Sequence, residues 1–121
     1  METIYRIQDK SGRGPWKPGF SHKWVEDRVD HDNLVSWMQE FGPVHNKLLA
    51  GEHGGCGCQT IEQLQRWFTE SEYKNLKKLG YRAVKMNVNR IIAESDIQLF
   101  FGRAKPLRRG ITPFDLYKDA A

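Results

Sequence analysis

The chain has 121 residues, enough for one domain with one core. Its 39% hydrophobic and 28% charged residues exclude a disordered chain, and no apolar run is long enough to cross a bilayer. A net charge of +4, from 19 Lys and Arg against 15 acids, favours acidic or nucleic-acid partners without establishing one.

Residues 2–8, ETIYRIQ, mix β-branched, aromatic and polar side chains and read as a first strand. The next twelve, DKSGRGPWKPGF, carry Gly12, Gly14, Gly19, Pro15 and Pro18, which forbid regular structure. A long loop results, bearing Arg13, Trp16, Lys17 and Phe20. Loops of this length in small domains are often functional. Asp30 or Asp32 can cap a helix with Leu34, Val35, Met38 and Phe41 on one face, ended by Gly42 and Pro43. The segment from Pro43 to Gly55 reads as irregular or short structure. The Gly55–Cys58 run, GCGC, reads as a small-residue turn.

From Thr60 the signals sharpen. Thr60-Ile61-Glu62-Gln63 fits a capping box, and Ile61, Leu64, Trp67 and Phe68 share a helical face. A second box, Thr69-Glu70-Ser71-Glu72, opens another helix that ends at Gly80. Residues 81–88 alternate with period two and predict a strand. NRIIAESD is expected to cross over as a helical turn, and residues 97–101 read as a further strand. From about 103 onward Pro106, Gly110 and Pro113 predict an irregular tail. The fold class is α+β: a single small domain, 1–121, with a mixed or antiparallel sheet and short helices.

His53, Cys56 and Cys58 are metal-ligand types within six residues. The spacing is C-x-C with no second pair, which does not fit a structural zinc site, so no metal is expected. A disulfide between such close neighbours would be strained. The N-terminus, METIYRIQDK, lacks the apolar core of a signal peptide, which points to the cytoplasm and a reducing setting. GRGPWKPG is neither a dinucleotide fingerprint nor a P-loop. Its glycines, Arg13 and Trp16 suit either a wrap around a nucleotide or a loop pinned to the core. RAKPLRR, residues 103–109, reads as a solvated tail or as a phosphate-binding patch.

Three pieces occur in order: YRI with Arg6, then CGCQTIEQLQRWF, then SDIQLFF after GYRAVKMNV. Together they resemble a small ADP-ribosyltransferase-like domain of phage or bacterial type. The resemblance spans about the first ten residues and Gly55 to Phe101. It implies that Arg6 holds the phosphates or ribose of NAD. It places Thr60 near a middle-strand hydroxyl position and Gln98, with Asp96, where the family carries its catalytic glutamate. Arg13 and Trp16, on the loop, would close over the cofactor. Cleaving the ribose–nicotinamide bond develops oxocarbenium charge, which a carboxylate stabilises. Gln98 can orient a hydroxyl but supplies no charge, so transferase activity stays an open question.

Two other readings stand beside this one. The chain suits a phage-type inhibitor, an anti-CRISPR or other anti-defence protein, that binds a host protein or nucleoprotein complex through Trp16, Trp24, Arg108 and Arg109. The charge and the GRGPWK loop also allow direct nucleic-acid binding, which salt would weaken steeply.

Overall fold

The computed structural model describes residues 1–17 and 19–118. Pro18 of the long loop and residues 119–121 of the expected tail lie outside the described residues.

Strand β1 (Glu2–Gln8) runs antiparallel to β3 (Arg82–Val88), which also pairs β6 (Ile111–Phe114). The register sets Ile4 opposite Met86 and Arg6 opposite Val84. A second antiparallel sheet has β2 (His53–Gly57) and β4 (Arg90–Glu94) on either side of β5 (Leu99–Arg103). Among the described residues one backbone bridge links the sheets. The Tyr5 N–H donates to the Cys58 carbonyl at 2.9 Å, and the Cys58 N–H returns a bond to Tyr5 at 2.8 Å.

Between β2 and β3 lie α2 (Ile61–Trp67) and α3 (Glu70–Lys78). Both begin with the boxes read in the sequence. Thr60 accepts from the Gln63 N–H and Thr69 from the Glu72 N–H, and each N3 side chain bonds back to its cap. Their apolar faces bring Leu64, Trp67, Tyr73 and Leu76 onto Ile7 and Ala83. A second cluster joins the sheets: Ile4, Val84, Met86 and Val88 from one, Leu99 and Phe101 from the other. Each such side chain stabilises the fold by about 1.5–3 kcal/mol. The fold is α+β with short helices, as expected. Among the described residues no helix is long and apolar enough to cross a membrane.

Several local expectations are corrected. The helix expected from Asp30 or Asp32 is two pieces: a 3₁₀ turn over Val29–Asn33 and α1 (Trp37–Phe41). Ser36 stands between them as the true cap, with Gln39 completing its own box, and its extended backbone breaks the longer helix. The Gly55–Cys58 turn is mostly strand, because Gly55 and Gly57 let β2 lie against β1: a Cβ on Gly57 would stand 3.0 Å from the Tyr5 carbonyl oxygen. The expected helical turn at NRIIAESD is strand β4, fixed by pairing with β5.

The region from 103 holds β6, whose Pro113 is tolerated because β6 is an edge strand. RAKPLRR is not a loose tail either. Buried Arg103 donates to the carbonyls of Asn87, Pro106, Arg109 and Gly110 at 2.7–2.9 Å and folds the loop around itself.

Candidate functional site

A cleft of about 540 Å³ opens beside the Tyr5–Cys58 bridge. Arg6 and Ile7 of β1 and residues 55–58 form one part of its wall. Leu64, Trp67 and Phe68 close it from α2 and its C-terminal end, Trp37 and Gln39 from α1, and Gly14–Trp16 from the long loop. Gln98, immediately before β5, completes it.

Arg6 is the dominant group. Only 6% of it is exposed, yet no carboxylate of the described residues pairs with it. Nη1 donates to the Cys56 carbonyl and Nη2 to that of Gly12, both at a long 3.3 Å, and Nε has no partner. Burial pulls its pKa below the ordinary arginine value, with Cys56 and Asp9 acting the other way. Arginine stays protonated even so, which leaves a cation held by two weak neutral acceptors and by the Phe101 ring, 5.8 Å from its Cζ. Gly55 makes its place possible, since a Cβ there would overlap Arg6 Nη1.

The loop that faces Arg6 is folded by Asp9. Its Oδ1 accepts from the Ser11 N–H and hydroxyl and from the Arg13 N–H, at 2.8–2.9 Å. Burial opposes ionisation of Asp9, but these bonds and Lys17 outweigh it and hold its pKa below the usual value. The turn presents the Gly12 carbonyl to Arg6 and leads on to Trp16.

Trp16 is 44% exposed and rests edge-on against buried Trp24, with ring centroids 4.6 Å apart. Trp37 packs on Phe100, also at 4.6 Å. Gln98 is 4% exposed and donates through Nε2 to the Val35 carbonyl at 2.8 Å and to Glu40 Oε1 at 3.0 Å. The cleft thus offers a cation, aromatic walls and an amide. No carboxylate lines it among the described residues.

Of the residues singled out in the sequence, Arg6, Trp16 and Gln98 come together in the cleft. Thr60, Asp96 and Arg13 do not. Thr60 is spent as the exposed cap of α2. Asp96 sits in the exposed turn ahead of β5, where its carbonyl accepts from Gln63, and it is not on the late strand. Arg13 is exposed on the loop. Trp24, read as a surface anchor, is 1% exposed and belongs to the core. Gln98, just ahead of β5, is buried, with its amide bonded to Val35 and Glu40 rather than turned to solvent.

Trp37 and Gly55 escape the sequence reading, and Cys56, weighed there as a metal ligand, lines the cleft instead. The Ser36–Gln39 box signals Trp37 locally, but only the fold reveals the place of the other two. Cys56 and Cys58 are both free thiols, and no three His, Cys, Asp or Glu side chains of the described residues gather as a metal site would require.

A family model described as bacteriophage T4 Y00F protein matches residues 1–114. No curated protein and no solved structure matches the chain. By that match over nearly its whole length, the chain belongs to the bacteriophage T4 Y00F protein family.

Proposed function

We propose that this phage-family protein is ADP-ribosyltransferase-like and binds NAD or a related nucleotide in the cleft, with the phosphates on Arg6 and a flat ring against Trp16. The observation that carries the reading is Arg6 itself. A guanidinium that is buried, lacks an acid partner and faces a cleft is an anion site in search of its anion. The placement of the strands supports it too: early β1 meets the end of β2 at the bridge, and β2 pairs late β5. That arrangement brings Arg6 of β1 and Gln98, immediately before β5, to the same cleft.

Thermal unfolding with added NAD tests the reading, using the parent and Arg6→Met. A ligand at a hundred times its Kd stabilises the folded state by about 2.7 kcal/mol, so the parent should gain many degrees. Arg6→Met should remain folded and gain none. A folded parent that NAD leaves unmoved would sink the proposal.

Transfer of ADP-ribose to a host macromolecule is the reaction the resemblance implies, with Gln98 in place of the glutamate. The absence of a lining carboxylate favours a second reading, a non-catalytic inhibitor of a host protein or nucleoprotein complex. Arg108 and Arg109 are exposed for that purpose, and so is Trp16. Capture of one defined host complex by the parent, lost in R108E/R109E and indifferent to NAD, would establish it. Direct nucleic-acid binding would show instead as an affinity that falls steeply with salt.

A further inference from the structure

We propose that Glu40 is a positioning residue: it fixes the Gln98 amide so that its carbonyl oxygen faces the cleft, and thereby selects ligands that offer a hydroxyl hydrogen there. This rests on the nucleotide reading above.

A glutamine amide can present either a donor or an acceptor to a ligand. Gln98 has no such freedom. Its two neighbours, the Val35 carbonyl at 2.8 Å and Glu40 Oε1 at 3.0 Å, are both acceptors, so the NH2 group must face them. No described residue donates to its oxygen. Both hydrogens are committed to the protein, and the lone pairs are left for a ligand.

Glu40 is itself held in place. It lies on α1, whose Ser36–Gln39 box fixes the helix start, and its Oε1 also accepts from the Ser95 hydroxyl at 2.9 Å. Ser95 in turn accepts from the N–H groups of Ile97 and Gln98, which shapes the turn carrying Gln98. Glu40 does not line the cleft, so it acts through the amide. Donation to a carboxylate also polarises the amide and makes its oxygen a better acceptor. Part of the negative charge missing from the cleft is thereby relayed from α1. A site arranged to accept a hydrogen bond rejects an analogue lacking the hydroxyl, because the acceptor is then desolvated with no partner.

The test is calorimetric titration of the parent, Glu40→Gln and Glu40→Ala. The probes are NAD, NAD analogues with one ribose hydroxyl replaced by hydrogen, and inorganic pyrophosphate. The parent should prefer NAD over one analogue by about tenfold or more, the worth of one hydrogen bond. Glu40→Gln, whose own amide oxygen can still accept from Gln98, should keep that preference. Glu40→Ala should lose most of it while binding pyrophosphate as the parent does. Glu40→Met takes its place if the alanine variant does not fold. Equal discrimination in the parent and in the alanine or methionine variant would overturn this inference and leave the nucleotide reading standing. So would a parent that binds NAD with no preference among the analogues. A folded parent that binds neither NAD nor pyrophosphate would overturn both.

Discussion

The guanidinium of Arg6 occupies the space that a side chain on Gly55 would fill. Two residues on different sheets, 49 positions apart, are therefore matched in volume. Gly55→Ala should push Arg6 out of its place. The backbone at this position needs no glycine, so the strand itself should survive. The cost is that of overpacking, about 1–3 kcal/mol. Calorimetric melting should show a folded but less stable chain, and the rise in Tm expected of the parent with NAD should be absent. A variant that responds to NAD as the parent does would separate Arg6 from the ligand.

Glu72 is a buried charge that, unlike Arg6, is fully partnered. It is 0% exposed. Arg28 and His31 each stand 3.0 Å from it, and the Glu26 N–H donates at 2.9 Å. Burial opposes its ionisation, but the backbone N–H groups of Glu26 and Thr69, His31 and Arg28 hold its pKa below the ordinary 4.5. A depressed folded-state pKa contributes stability that is present above 4.5 and lost as pH falls through the lower, folded-state value. Glu72→Gln should cost about 3 kcal/mol at neutral pH, as breaking a buried pair does. The gap between the two melting temperatures should close as the pH is taken from 5 to 3. A gap that stays constant would mean Glu72 does not act through its charge.

Gln98→Glu restores the carboxylate that the resemblance asks for, but sets it against Glu40. Two carboxylates at hydrogen-bond distance cannot both ionise freely, so the folded-state pKa of the pair rises. A raised carboxylate pKa destabilises the fold above the unfolded value and leaves it untouched below. The variant should therefore melt below the parent at pH 7 and approach it near pH 4. Adding Glu40→Gln should remove the neutral-pH penalty. Chemical denaturation at the two pH values, on the parent and both variants, checks each part.

The two thiols should differ sharply in reactivity. Burial pushes the Cys58 thiol far above its ordinary value, with Cys56 adding to the effect, and only 2% of the residue is exposed. Cys56 is half-buried and lines the cleft. Thiolates are the reactive form, so iodoacetamide on the native chain should label Cys56 and spare Cys58 until the protein is unfolded. Peptide mass spectrometry reads this directly. Labelling of Cys58 at the rate of Cys56 would contradict the packing around it.

What the sequence made legible was what is decided locally. Thr60 and Thr69 announce their helices within four residues, and the alternation over 82–88 fixes β3. The Ser36–Gln39 box is equally local, but the periodicity of Leu34, Val35, Met38 and Phe41 masked it with a longer helix. Strand β4 was misread because Ile91 and Ile92 suit a helix or a strand, and its pairing with β5, with an irregularity between Ile91 and Ala93, decides the matter from outside. The glycines of β2 argue against a strand until Arg6 and Tyr5 are seen to need the room. Arg6, Trp16 and Gln98 could be named from the chain. Glu40 could not, because its bond to Gln98 spans 58 positions and follows from no motif.

Three of the four tryptophans, Trp16, Trp37 and Trp67, line the cleft, and the fourth, Trp24, touches Trp16. The protein's tryptophan emission therefore originates at the cleft wall or one ring behind it. A molecule that enters, displaces water from Trp16 or lies across a ring must change the intensity or colour of that light. Unlabelled protein can thus be screened by its own fluorescence against nucleotides of every kind.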